Sequence, residues 1–320
     1  MPPLIILGPT ASGKEDAAFA LARRCRARAE IIVVDSMKIY RGLNIGTAKP
    51  TAARRAEIPH HGLDLASPEQ NFSVAAYVKE AAAALAAIER AGKQAIFVGG
   101  TALYYKGLFD GLCAAPAADA AVRAELTAWG ERHGTAALHA RLRQLDAAAA
   151  AKIHPHDARR LTRALEVVAL TGRPFSERQT QWAGFHSPTM AGGASESGVT
   201  WADAQVFLLH WERPVLRERI ATRVRRMLDA GLLDEARAVY DRRETLARTP
   251  LQAVGYKEFF PYFAGESSLA AAVAQLTTRT CQLAKSQMTW FRKFPAQPVA
   301  MRVGMTGDDT AAAIAARCDA

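Results

Sequence analysis

The chain has 320 residues, half of them apolar, and a formal net charge of +10, which is length and hydrophobic content enough for a compact protein of one large or two ordinary domains. The charge is spread over scattered arginines and suits a polyanionic partner, nucleic acid first, although a general compositional bias toward Arg and Ala accounts for it equally well. Cys25, Cys113, Cys281 and Cys318 stand far apart with no CxxC pair, which suggests neither a zinc site nor a disulfide framework, and no apolar run reaches membrane-spanning length, so an untargeted cytoplasmic protein away from membranes is expected.

In chain order, the apolar run 4–7 meets Gly8, and the Ala-rich stretch 14–28 reads as a helix. Residues 31–34 and 95–98 are further buried-strand candidates, ending at Asp35 and at Gly99-Gly100, with a helix over 74–91 between them. Short apolar strands alternating with helices predict a parallel, doubly wound sheet whose ligands sit beyond the strands' carboxyl ends, where Asp35 and Thr101 fall. From 115 to 176 the strand signals vanish and consecutive helices are expected. Residues 184–198, rich in Gly and Ser, read as a mobile surface loop. A strand over 206–209, one long basic helix from 215 to about 240 with Gly231 as a weak point, and a last strand over 299–303 complete the pattern. The expected fold is therefore α/β: a P-loop NTPase-like core with a parallel sheet, plus an all-helical insertion subdomain. Its divisions are 1–114 for the first part of the core, 115–185 for the insertion, and 186–320 for the rest of the core with C-terminal helices.

Gly8-Pro9-Thr10-Ala11-Ser12-Gly13-Lys14 matches the first seven positions of a phosphate-binding P-loop and lies between a strand and a helix, as that motif requires. Its backbone N–H groups, the helix N-terminus and the Lys14 ammonium all suit an anionic phosphate group. Glu15 stands where a Ser or Thr hydroxyl normally reaches Mg²⁺; a carboxylate is a hard-cation ligand, and so a candidate metal ligand here, but it adds negative charge beside a phosphate. His60-His61 lack further ligands at metal spacing and read as structural or base-contacting. Trp182, Trp201, Trp211 and Trp290 fit packing as well as stacking.

A P-loop alone predicts a kinase or ATPase. Residues 35–50, DSMKIYRGLNIGTAKP, instead closely resemble the DSxxxYRGMDIGTAKP signature of the tRNA dimethylallyltransferases. Further matches, in family order over nearly the whole chain, are Pro59-His60-His61, residues 98–104 (VGGTALY), His154-Pro155 with residues 160–166 (RLTRALE), Gly255-Tyr256, and residues 282–292 (QLAKSQMTWFR). Two departures are Ala102 in place of a Gly and Ser286 in place of an Arg.

The resemblance implies a monomeric enzyme that transfers a dimethylallyl group from its diphosphate to N6 of adenine 37 in the anticodon loop of tRNAs reading UNN codons. No obligate protein partner is implied. Asp35 is expected as the base that takes the N6 proton. Lys14, the loop 8–15, Thr101, Mg²⁺ and Arg223, in the stretch RIATR (219–223), are expected to stabilise the departing diphosphate. The resemblance also assigns Asp35, Ser36, Met37, Lys38 and Thr101 to the target base, Arg159, Arg160, Leu161, Thr162 and Arg163 to a tRNA-recognition helix, and Arg123 to the reaction channel. On spacing alone, Arg159, Arg160 and Arg163 fit an ordinary charged helix face equally well. An adenylate isopentenyltransferase, a small-molecule kinase and a tRNA-binding protein with lost catalysis remain the alternatives, the last raised by Glu15.

Overall fold

The computed structural model describes residues 1–25, 28–112, 115–178, 198 and 200–318; Cys113, Trp182 and nearly all of the expected loop 184–198 lie outside them. The chain forms two compact units, Met1–Asp110 together with Ala194–Ala320, and Gly111–Gly193.

The first unit is built on a six-stranded sheet in the order β3-β2-β4-β1-β5-β6, with every pairing parallel. The strands are β1 (Leu4–Leu7), β2 (Ala29–Val34), β3 (His60–His61), β4 (Gln94–Gly99), β5 (Gln205–His210) and β6 (Gln297–Ala300). All residues of β1 and β4 are buried, which is why these strands read as unbroken apolar runs: a parallel sheet covered on both faces has no polar side to alternate with. Helices α1 (Lys14–Arg24), α2 (Ala52–Glu57), α3 (Val74–Arg90) and α4 (Ala102–Phe109) belong to its first segment. Ser73 starts α3 by accepting the Ala76 N–H, the usual N-cap chemistry.

In the second unit, α5 (Ala120–His133), α6 (Thr135–Leu145), α7 (Ala147–Lys152), α8 (Ala158–Thr171) and α9 (Phe175–Arg178) enclose a core of Leu126, Leu138, Leu142, Leu161 and Leu165. Asp119, Asp146 and Asp157 cap α5, α7 and α8 with side-chain oxygens. The chain then returns to the first unit through α10 (Arg213–Asp229), α11 (Leu232–Asp241), α12 (Arg248–Leu251), α13 (Phe260–Phe263), α14 (Leu269–Phe291) and α15 (Gly307–Cys318).

Two expectations need correction. The long basic helix is two helices, because Gly231 takes φ 96° as the left-handed residue between α10 and α11, a conformation that ends a helix and that glycine adopts without a Cβ penalty. The last strand lies at Gln297–Ala300, two residues earlier at its start than the apolar pattern indicates. It is one of the two edge strands, where Pro298 is tolerated. No helix among the described residues is long and apolar enough to cross a membrane.

Candidate active site at the carboxyl edge of the sheet

The register lines up three strand ends. Leu7 pairs with Gly99, and Gly99 with Val34, so Gly8, Gly100 and Asp35 leave the sheet at one level. Strand spacing then places Asp35 about 10 Å from the start of the Gly8 loop, with the end of β4 between them.

Gly13 takes φ 86° at the N-cap of α1, and Ala11 holds φ 62° despite its side chain, a strain of about 1–2 kcal/mol. Neighbouring bonds hold the carbonyl side of this loop. Arg219 Nε donates to Ala11 O and Trp211 Nε1 to Ser12 O, each at 2.9 Å, while the Arg219 guanidinium lies 4.2 Å from the centroid of the Trp211 ring. Gln287, on α14, accepts the Thr10 N–H at 2.8 Å and donates to Gly100 O at 3.0 Å, tying the loop to the end of β4. What the loop offers to an anion is the first-turn amides of α1, which have no partner within the helix.

Beside the loop lies a cleft of about 410 Å³ whose lining includes Lys14, Lys49, Arg54, Arg219, Arg223 and Arg226. Arg219, Arg223 and Arg226 recur at i, i+4 and i+7, so α10 turns one basic face to the cleft. Arg225 instead donates to Thr222 on its own helix at 3.2 Å.

Lys14 is buried and donates to Pro9 O at 3.3 Å. Burial pushes its ammonium down to about 8; Arg223 and Lys38 add to that, and Glu15 and Asp35 pull against it. A bound anion favours the charged form, so affinity for inorganic pyrophosphate is expected to fall by up to about tenfold per unit as the pH rises past that value. Calorimetry in buffers of different ionisation enthalpy should record proton uptake on binding there. Stability carries the opposite sign. The ligand-free fold disfavours the charge, so the unfolded chain binds the extra proton and stability rises from about pH 8 toward 10.5.

Glu15 Oε1 lies 2.5 Å from Lys38 Nζ, with the Lys38 side chain 2% and the Glu15 side chain 31% exposed. Burial alone would raise the Glu15 carboxyl, but Lys38, Lys14 and Arg223 overcome this and hold it at about 2. These residues do not fit a P-loop Mg²⁺ site: the hydroxyl ligand is replaced by a carboxylate already engaged by an ammonium. No cluster of three or more His, Cys, Asp or Glu that could hold a metal occurs among the described residues.

Asp35 follows β2 and folds the next residues into a tight turn, its Oδ1 accepting the N–H of Met37 at 2.8 Å and of Lys38 at 3.2 Å. The Ser36 N–H donates to Thr101 Oγ1 at 3.0 Å, so Thr101 braces the Asp35 turn. Further along the signature, Glu235 on α11 accepts the N–H groups of Asn44, Ile45 and Gly46, each at 2.9 Å, and the Tyr256 hydroxyl at 2.8 Å. His60 and His61 form the edge strand β3, with ring nitrogens 2.7 Å from Ile58 O and 2.6 Å from Glu30 Oε2.

In the helical unit, Arg123 and Arg163 each meet the buried carboxylate of Glu166 at 2.7 Å, and Glu166 also accepts the Asp119 N–H at 2.9 Å. Arg163 further donates to Pro116 O. Arg159 and Arg160 are exposed, Arg160 pairing with Asp157 at 3.3 Å. Leu161 is fully buried and Thr162 nearly so, so these two side chains pack inward. Burial would raise the Glu166 carboxyl, but the two arginines and the Asp119 amide hold it below its ordinary value. Its stabilisation is therefore present at neutral pH and lost as the pH falls below 4.5. Glu166→Ala removes the shared acceptor of two partly exposed arginines and of the Asp119 N–H and should cost the fold about 1–3 kcal/mol, read as a lower melting temperature at pH 7 and a smaller loss in acid.

Residues 38–294 match the IPP transferase family model. The chain belongs to the IPP transferase family. The chain is similar to the tRNA dimethylallyltransferase of Thioalkalivibrio sulfidiphilus, at 43% identity over 92% of this chain and 88% of that protein. It is also similar to that of Herminiimonas arsenicoxydans, at 44% identity over 91% and 87%. Among solved structures, the full-length tRNA isopentenylpyrophosphate transferase of Bacillus halodurans superposes with a TM-score of 0.68 at 34% identity, covering all of this chain and 96% of the other. A eukaryotic dimethylallyltransferase described as acting on tRNA gives 0.74 at 25% identity over 93% and 73%.

Gln287 and Glu235 have no role legible in the sequence, and Arg219 stands out there only as the first residue of the stretch 219–223. Gln287 sits 277 residues from its loop partner and Glu235 191 from Asn44, so only the Arg219-Arg223-Arg226 spacing carried a local signal.

Proposed function

We propose that the protein transfers the dimethylallyl group of dimethylallyl diphosphate to N6 of adenine 37 in the anticodon loop of tRNAs reading UNN codons and releases diphosphate, acting in the cytoplasm as a monomer. The observation that carries this reading is the common level of three strand ends, which sets a phosphate-binding loop and a carboxylate on one edge of the sheet in a chain of the IPP transferase family.

In the reaction, the N6–carbon bond forms as the carbon–oxygen bond to diphosphate breaks, and Asp35 takes the N6 proton. Charge on the leaving diphosphate is met by the first-turn α1 amides at the end of the loop 8–15, Lys14 and Arg223, with Arg219 and Arg226 on the same helix face. The Thr101 hydroxyl, beside Ser36, holds the Asp35 turn to β4 and is within the same machinery. Mg²⁺ would enter this reading only as an ion carried by the diphosphate itself, because Glu15 is already engaged by Lys38 and offers it no P-loop ligand.

The target adenine lies in a single-stranded loop, where a base can be splayed out without breaking a duplex. We assign the turn 35–38 to that base. Residues 115–185 are the tRNA-binding insertion between the core segments 1–114 and 186–320, with Arg159 and Arg160 as its phosphate contacts. Arg123 and Arg163 shape that surface through Glu166. Arg160→Ala is expected to weaken tRNA binding and to reduce its salt dependence while donor affinity holds; unchanged tRNA affinity would make Arg160 a solvated helix residue.

The test offers labelled dimethylallyl diphosphate with tRNA or with AMP in separate reactions. Label in tRNA alone supports the proposal, and label in AMP moves the protein to the nucleotide-modifying branch.

A further inference from the structure

The P-loop position after Lys14 is where a hydroxyl oxygen ordinarily holds a divalent cation, at about 2.0–2.1 Å for Mg²⁺. In this chain that position is Glu15, and a cation already stands against it: Lys38 Nζ, 2.5 Å from Glu15 Oε1. The ammonium comes from the turn after β2, 23 residues away. Its backbone is fixed by the bond from its N–H to Asp35 and by the Asp64 N–H donating to its carbonyl at 3.2 Å.

Neither residue makes sense alone. Glu15 without Lys38 would set a negative charge beside the bound diphosphate, and Lys38 without Glu15 would be a buried ammonium lacking a counter-charge, which is costly. As a pair they carry no net charge, so Lys38 cancels the Glu15 carboxylate and sets a buried ammonium behind it at the phosphate-binding loop, and the net positive charge of the cleft comes from Lys14 and the arginines. The same neighbourhood holds Lys14 and Arg223, whose fields reach Glu15, and the cleft lining adds Arg219 and Arg226.

We propose that the Lys38 ammonium, anchored by Glu15, is a built-in cation that takes the place of the P-loop metal, so that the protein binds diphosphate without a divalent ion. This rests on the reading of the cleft as a diphosphate site. Lys38 thereby gains a role toward the leaving group in addition to its place in the turn assigned to the target base.

The experiment is calorimetric titration of the full-length protein with inorganic pyrophosphate, once with EDTA and once with millimolar MgCl₂. The wild type is expected to bind in both, with dissociation constants within about threefold of each other, because fixed protein charges supply what the metal otherwise would. Lys38→Gln, which leaves Glu15 unpaired beside the anion, is expected to lose at least about tenfold in affinity in EDTA. The double substitution Glu15→Thr with Lys38→Gln, which restores the ordinary hydroxyl, is expected to bind at least about tenfold tighter with MgCl₂ than with EDTA. Near-ultraviolet dichroism of each variant checks that it is folded, and the wild-type comparison needs no variant.

Wild-type binding seen only with MgCl₂ overturns the built-in cation while leaving the diphosphate site intact. Wild-type binding that is metal-independent but equally tight in folded Lys38→Gln also overturns it, assigning the charge to other residues. Absence of binding under either condition overturns the diphosphate reading itself, and this inference with it.

Discussion

Asp35→Asn is expected to lower kcat for prenyl transfer by about 10²–10⁴-fold, the usual worth of a positioned general base, while pyrophosphate affinity stays within about twofold. The substitution is informative because asparagine keeps an Oδ1 that can accept the Met37 and Lys38 amides, so the turn survives and only the charged acceptor is lost. Single-turnover kinetics at saturating donor and tRNA, together with calorimetry, separate the two quantities. Equal losses in turnover and pyrophosphate affinity would reduce Asp35 to the residue that shapes the turn.

Lys14→Met should give the opposite split. Pyrophosphate affinity is expected to drop about 10²–10³-fold, the order found when one partner of a buried, hydrogen-bonded charge pair is truncated. The melting temperature should hold or rise. That second outcome follows from the direction in which burial moves the Lys14 ammonium: the empty fold disfavours the charge, so an apolar side chain of similar length relieves a cost. A variant that unfolds would make Lys14 a structural residue, and one that binds pyrophosphate normally would remove the diphosphate from this loop.

The parallel sheet was legible because its buried strands run apolar without interruption, as residues 4–7 show, and because a Gly-rich turn followed by an Ala-rich helix has few other readings. Where local signals compete, tertiary structure decided. The pattern through 215–240 carries helical periodicity on both sides of Gly231, and only its φ of 96° shows that the chain breaks there. The two-residue strand β3 is too short for any period to reveal; it exists because Ile31 and Ile32 offer a free edge to His60 and His61.

The loop and Asp35 could be read locally, each being a short motif at a strand end. The pairing of Glu15 with Lys38 could not. From sequence, Glu15 looked like a defect in a metal site and Lys38 like one of several residues beside a target base, because nothing in their 23-residue separation announces a contact. The arginines of the helical insertion show the same limit. Arg123, Arg160 and Arg163 look alike in sequence, yet two of them close on a buried Glu166 and the third sits at the surface with Asp157.

The most direct measurement of the central claim is nucleoside mass spectrometry of a UNN-reading tRNA after incubation with the protein and dimethylallyl diphosphate, with the modified position mapped by nuclease fragments. The account predicts a single dimethylallyl group on N6 of adenine 37 and none when Asp35 is asparagine. An unmodified tRNA, or a dimethylallyl group recovered only on free AMP, would contradict it.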